Sequence, residues 1–383
     1  MKITVDKAAL ARALRAVKPA VGRGANLPIL SAVKLTVHSA GLEIQANDLS
    51  CASTVELEGI SAGEPGQAVV VDHAALAKAV RASKVTQITL KTVGQVPDLG
   101  DSTRFVSLAD LEPSALLLDG MALALEHKLA DWPELPDVTG DGLDIPTDTL
   151  MGAFLACEPA ICRDDTRYNL SGVYYDPEGM LVSTDGHRLH CEPFDHKLSD
   201  EGIIIPSTVV ALMKAAKTGK ALGPSVRFTR SSGYNIHIAS GQFEVTARLV
   251  DGQFPDWRQV VPAGDREATE ATIHSAALEN AMDRCIAVVT KGRTPGVKVE
   301  INGKLAFTPQ DPDNPAARPI DVECTDRKGE DTSCGFNAAY LRDMAKVASD
   351  AEIRLNAVDN EQCAVFRWGD DSRRVHVVMP MRL

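Results

Sequence analysis

The sequence predicts an α+β protein in which one helix-and-sheet unit recurs along the chain, and three observations carry that expectation. Residues 6–18 read DKAALARALRAVK and residues 72–84 read DHAALAKAVRASK, with nine of the thirteen positions identical at an offset of 66. Four weaker echoes begin near 147, 206, 274 and 337, so six helix starts lie 66, 75, 59, 68 and 63 residues apart. Between them run segments with period-two alternation of apolar and polar residues, the mark of half-buried strands. Six half-units paired two by two make three similar domains, expected at 1–137, 143–264 and 269–383. Each then has two helices packed on antiparallel sheet.

The first helix places Leu10, Leu14 and Val17 on one stripe at 100° per residue, with Arg12 and Arg15 on another side. The second copy repeats this with Leu76 and Val80 against Lys78 and Arg81. Each opens on an Asp suited to cap a helix. One such helix is an ordinary solvated face. Two copies with charges in register are less ordinary, because solvation does not dictate sign. Further helices are expected from Thr147 through Phe154, from Ser207 with Lys214 and Lys217, from His274, and from Asn337 with Arg342 and Lys346.

Strands are expected at Ala32–Val37 and Leu42–Ala46 around a Ser39-Ala40-Gly41 turn, then at Val55–Ile60, Gln67–Val71, Gln87–Thr92 and Arg104–Leu108. Ala115–Leu125 fits strand or helix. In the second domain Thr166–Tyr175 reads as a strand, turning at Asp176-Pro177-Glu178-Gly179 and returning as Met180–Thr184. Gly296–Phe307, turning at Gly303, is the third version of that hairpin, and Val375–Met379 is the last strand.

With 383 residues and 44% hydrophobic content the chain can fill three cores. No apolar run approaches a membrane span, and the N-terminus lacks a signal-peptide pattern. Eight cysteines with no CxxC pair point to reduced thiols in the cytoplasm and away from a zinc site. A net charge of −12 ordinarily counts against nucleic-acid binding. Yet the two repeated segments carry seven Lys or Arg against two Asp, so charge is segregated and the remaining surface is more acidic still.

Enzymatic constellations are sparse. Asp185 and His187 in Thr184-Asp185-Gly186-His187-Arg188 form a candidate acid–base pair, but a glycine turn closing a strand explains them as well. Asp164-Asp165 could bind a metal, but adjacent acids in a loop are more often helix-end or solvent charges, and Gln310-Asp311-Pro312-Asp313 lacks the Gly and terminal Glu spacing of a calcium loop. There is no GxxxxGK[ST], GxGxxG or HExxH. No metal or cofactor is expected. What remains is basic helices on an acidic shell. Duplex DNA carries one negative charge per ~1.7 Å of axis, which such helices attract irrespective of sequence. Aromatic residues, at 4%, are too few for a single-strand stacking platform.

Several stretches together resemble the bacterial β sliding clamp family, the processivity subunit of DNA polymerase III. They are Leu27-Pro28-Ile29-Leu30, Arg167-Tyr168-Asn169-Leu170-Ser171-Gly172, Ser183–Leu189, Phe254-Pro255-Asp256-Trp257-Arg258, Gly335-Phe336-Asn337 and Val378–Leu383. The resemblance spans the whole chain. It implies the DNA clamp fold, a head-to-tail homodimeric ring around double-stranded DNA, with no catalysis. Arg12, Arg15, Arg23, Lys78, Arg81, Tyr168, Lys214 and Lys217 are the implied DNA contacts. Partner peptides of the polymerase III catalytic subunit, the clamp loader and other motif-bearing proteins are implied at one pocket. Its residues are Leu170, Thr184, Gly186, His187, Arg188, Leu189, Pro255, Val260, Asn337, Tyr340, Val377, Val378, Met379, Pro380, Met381, Arg382 and Leu383. The implied dimer contact joins Val288 and Val289 to Leu123 and Leu125. Gln259 and Thr294 depart from the family's usual basic and aromatic residues at those positions. Two other readings stay open from the residues alone: an enzyme built on His187, and a DNA-binding scaffold that does not close into a ring.

Overall fold

The computed structural model describes residues 1–22, 27–62, 64–94, 113–135, 138–231, 234–262, 268–314 and 317–382. Six α-helices occur among them: α1 (Lys7–Val17), α2 (His73–Ala82), α3 (Thr147–Cys157), α4 (Ser207–Gly219), α5 (Ser275–Ala287) and α6 (Ala338–Ala348). All six stand at the expected starts. Side-chain caps explain several of those starts. Asp6 Oδ1 accepts from the Ala9 N–H at 2.7 Å, Asp72 Oδ1 from Ala75 at 2.7 Å, and Asn337 Oδ1 from Ala339 at 2.9 Å. Helix α3 runs three residues beyond its expected end at Phe154.

The described residues fall into two compact units, Met1–Met151 with Thr208–Leu249, and Gly152–Ser207 with Val250–Leu383. Both cut through the expected central domain, and the sheets show why. In the first unit an eight-stranded antiparallel sheet joins Phe243–Arg248 to Cys51–Glu58, Phe243 opposite Val55. In the second a nine-stranded sheet joins Arg188–Pro193 to Val375–Val378, Leu189 opposite Val377. Each large sheet is therefore built by two neighbouring repeats, and ladder hydrogen bonds bind across the expected boundaries. A five-stranded sheet in the first unit ends on Met121–Ala124, and a four-stranded sheet in the second ends on Ile320–Val322.

The apolar stripes read from sequence are the buried ones. Leu10, Leu14, Val17, Leu76 and Val80 are all at most 2% exposed. The core of the third repeat gathers Phe307, Phe336, Phe366, Leu341 and Met282 under α5 and α6. Each such side chain is worth roughly 1.5–3 kcal/mol when fully buried.

Three expectations change. Ala115–Leu125 is a hairpin of Pro113–Leu118 and Met121–Ala124. Its turn is Asp119-Gly120 with φ of 45° and 74°, the two left-handed positions a tight hairpin turn requires. Val55–Ile60 belongs to a longer strand, Cys51–Glu58. Thr166–Tyr175 is not one strand: Asp165–Leu170 is a 3-10 turn and the strand is Gly172–Asp176. Asp164 Oδ1 takes the Thr166 N–H at 3.0 Å and its hydroxyl at 2.7 Å, offering this segment local bonds in place of a ladder. The first repeat closes its corresponding segment with a backbone bond. Gly22 N donates to Leu30 O at 2.7 Å, as Cys162 N does to Leu170 O at 3.1 Å. The expected strand Arg104–Leu108 lies outside the described residues.

Candidate partner-binding and nucleic-acid surfaces

Spacing of three on a helix puts Arg12 with Arg15, and Lys78 with Arg81, on one face each. Arg15, Lys78 and Arg81 are exposed and Arg12 is half-buried. The two helices pack together through His73, whose Nε2 lies 2.9 Å from the Leu14 carbonyl oxygen. Helix α4 reaches α1 at Gly219, where an added Cβ would stand 3.5 Å from the Arg12 carbonyl oxygen. Lys214 and Lys217 are exposed on α4, and Lys217 pairs with Asp148 at 3.0 Å. Tyr168 is 60% exposed on the 3-10 turn. Arg23 lies outside the described residues.

The second unit brings together most of the remaining expected site residues. The turn between Met180–Thr184 and Arg188–Pro193 is organised by Asp185. Its Oδ1 accepts from the backbone N–H groups of His187 at 2.9 Å and Arg188 at 3.0 Å. Thr184 Oγ1 donates to Arg188 O at 2.7 Å and accepts from Gly186 N at 3.1 Å. Gly186 has φ of 85°, which an L side chain rarely adopts. The carboxylate is thus committed to the backbone and to Arg188 Nε at 3.2 Å, not to the His187 imidazole. This removes the acid–base pair.

Arg188 links the turn to α6. Its Nη1 donates to Asp343 Oδ2 at 3.0 Å, and its guanidinium lies 4.2 Å from the centre of the Tyr340 ring. Beyond Val378 the chain leaves the ladder. Met379 N donates to His187 O and Met381 N to Gly335 O, each at 2.8 Å, while Pro380 between them has no donor. The side chains of Leu170, Leu189 and Val377 form a buried floor with Phe254 and Val365. Val378 points the other way, into the core of the third repeat, because successive strand residues face opposite sides. The exposed rim consists of His187, Pro255, Val260, Met379 and Arg382, with Pro380 and Met381 half-buried. Leu383 lies outside the described residues.

Two supporting networks were not legible in sequence. The Phe254–Arg258 segment is clasped by Asp176, which accepts from Trp257 Nε1 at 2.9 Å and Arg258 Nη1 at 2.7 Å. Burial pushes the Asp176 carboxyl up, but these donors outweigh it and hold it below its ordinary value. Tyr174 stacks on Phe254 at 4.7 Å. Eighty-two residues separate Asp176 from Arg258, and no local pattern connects them.

Beneath the tail strand, Arg374 makes paired bonds to Glu192, His190 Nε2 lies 3.2 Å from Glu192 Oε2, and His376 Nδ1 lies 3.4 Å from His190 Nδ1. His376 Nε2 has no partner among the described residues. Burial first, then His190 and Arg188, hold His376 well below the ordinary histidine range. The unfolded chain therefore takes up this proton more readily. Stability contributed by neutral His376 is complete above about pH 6.5 and is lost as pH falls below it. Burial pushes Glu192 up, but bonds from His190 and Arg374 outweigh that and keep it below its ordinary value. Its contribution is lost in the same direction, at lower pH. Thermal unfolding followed from pH 7 to pH 5 should show a falling midpoint, and His376→Leu should flatten the upper part of that fall. Equal pH dependence in the variant would place the titration elsewhere.

No group of three or more His, Cys, Asp or Glu among the described residues could hold a metal. Three family models match in order: DNA polymerase III beta subunit N-terminal domain over residues 1–113, central domain over 144–256 and C-terminal domain over 258–382. The beta sliding clamp of Escherichia coli is 26% identical over 392 residues, covering 100% of both chains. That of Proteus mirabilis is 27% identical over 393 residues, again covering 100% of both. The crystal structure of the Caulobacter crescentus beta sliding clamp matches with a TM-score of 0.82 at 24% identity, over 100% of this chain and 99% of that one. The sliding clamp of Bartonella birtlesii, solved bound to griselimycin, matches with a TM-score of 0.82 at 26% identity over 100% of both. Its three segments matched in order by the models of one family, the chain belongs to the DNA polymerase III beta subunit family.

Proposed function

We propose that two copies of this chain close head to tail around duplex DNA and hold a polymerase there through the surface at His187 and Met379. The chain is a sliding clamp, a replication processivity factor and not an enzyme. The observation that carries the ring is a rule of strand pairing. The last strand of the second repeat, Phe243–Arg248, pairs with the third meander strand of the first, Cys51–Glu58. The last strand of the third repeat, Val375–Val378, pairs with the third meander strand of the second, Arg188–Pro193. Two members of the series are left as sheet edges, Met121–Ala124 and Ile320–Val322. Unpaired edges invite a partner strand. Pairing the first edge of one copy with the second edge of another extends the rule, and two such contacts close a ring. Leu123 and Leu125, half-buried at the first edge, then face Val288 and Val289, beside a cleft of about 480 Å³ lined by Ala287, Val288, Pro309 and Ile320.

In this reading Arg12, Arg15, Lys78, Arg81, Lys214 and Lys217 face DNA phosphates, with Tyr168 at the rim. Leu170, Thr184, Gly186, His187, Arg188, Leu189, Pro255, Val260, Asn337, Tyr340, Val377 and the 379–382 tail receive a short linear peptide. A clamp of this kind serves the polymerase III catalytic subunit, the clamp loader and other motif-bearing proteins in the cytoplasm. No described helix is long and apolar enough to cross a membrane. Non-specific DNA affinity, with a dissociation constant of roughly 10⁻⁴ to 10⁻⁶ M, is too weak to hold a polymerase, whereas encirclement needs no affinity. Clamp loaded on nicked circular DNA should survive gel filtration and be released when the circle is linearised. Release from the intact circle at the same rate would overturn the ring.

A further inference from the structure

Charge is distributed unevenly among the six helices. Helices α1 and α2 carry five Lys or Arg and no Asp or Glu. Apart from Lys7, whose Nζ donates to Ser83 O, these basic groups make no ion pair or hydrogen bond with described residues. Helices α5 and α6 carry three basic and three acidic residues. Lys346 Nζ lies 3.8 Å from Glu279 Oε1, and Arg342 Nη1 lies 3.8 Å from Asp283 Oδ1, so each base on α6 faces an acid on α5. Arg342 Nη2 is also 3.3 Å from Asp343 Oδ1. The third base, Arg284, lines the cleft beside Val288.

These pairs are more than a quarter exposed on both sides, and such pairs add little to stability. Their effect is on the field. A base already facing a carboxylate at 3.8 Å gains little from a phosphate, and the carboxylate repels that phosphate. We infer that duplex DNA is contacted one-sidedly, by the basic surface of α1 and α2, and that the α5–α6 pair is electrostatically silent toward it. This rests on the DNA-encircling reading and adds to it a division of labour within each copy. The duplex sits against the first repeat of each protomer, and the third repeat spaces without gripping.

Equilibrium binding of a fluorescent 40-base-pair duplex to the full-length dimer, measured across a salt series, tests this. The slope of log K against log salt counts displaced counterions at about 0.9 per phosphate contact. R12A/R15A/K78A/R81A should flatten the slope by roughly 3 to 4 per copy. R342Q/K346Q should change it by less than about 1 per copy, and E279Q, which frees Lys346, should steepen it by roughly 1 per copy. Partner-peptide binding, read in parallel, should be unchanged in every variant and so reports folding. If R342Q/K346Q flattens the slope as much per charge removed as the α1–α2 variant, the one-sided contact is wrong and the clamp reading stands. If no variant changes the slope, both fail.

Discussion

Aspartate at Val288 and Val289 is expected to leave a folded monomer. Val288 follows α5 directly and is 45% exposed, and Val289 is half-buried beside it. The change therefore opens no core. In the proposed ring both side chains meet Leu123 and Leu125, at the junction where the Met121–Ala124 edge reaches the Ile320–Val322 edge. A carboxylate there loses its water against apolar side chains, with Arg284 and Arg318 the basic residues that line the cleft. Burying an unpaired charge costs several kcal/mol after relaxation. About 4 kcal/mol weakens each contact about a thousand-fold, and the ring closes on two of them. Sedimentation velocity at micromolar concentration should show one species near 41 kDa, with wild-type circular dichroism. A double variant that still sediments as a dimer puts the interface elsewhere and undoes the edge-pairing argument.

Truncation after Val378 is expected to abolish partner binding and leave the dimer whole. The last strand is Val375–Val378, so its ladder to Arg188–Pro193 and Ala364–Trp368 survives the cut. What goes are two backbone bonds, from Met379 to His187 and from Met381 to Gly335, and two methionine side chains, one exposed and one half-buried. Methionine is flexible and polarisable, suited to several different peptides. Burying each thioether side chain under a peptide contributes roughly 1.5–3 kcal/mol, so losing both lowers affinity at least about a hundred-fold. Fluorescence anisotropy with a labelled polymerase peptide measures this directly. Undiminished affinity in the truncated chain would move the peptide site away from the tail.

The departures from the expected pattern have different physical origins. Asp119-Gly120 is a hairpin signal in plain view. The short apolar runs on either side, Leu116–Leu118 and Met121–Leu125, fit helix and strand alike and mask it. The Arg167–Leu170 stretch looked extended because aromatic and apolar residues favour strands, yet the Asp164 cap supplied closer partners than any neighbouring strand. Arg188, one of the peptide-pocket residues, also holds the turn against α6 through its bonds to Asp185 and Asp343 and its place over Tyr340. No alternation or spacing foretells a contact between residues 155 apart.

Sequence alone determined the local features of this protein. The caps at Asp6 and Asp72, the buried stripe of Leu10, Leu14 and Val17, the hairpins at Gly179 and Gly303 and the repeat itself are all set within a few residues, by backbone bonds and the period of apolar side chains. The excess of positive charge on α1 and α2 was legible for the same reason. Only the tertiary structure decided which strands join neighbouring repeats, that the sheets run across the expected domain boundaries, and that Asp176 clasps Arg258 while Glu192 holds Arg374. It also decided that the bases of α6 face acids on α5, whereas those of α1 and α2 face no acid among the described residues. These pairings join residues far apart in the chain, and burial and charge are satisfied there by whatever the packing brings near.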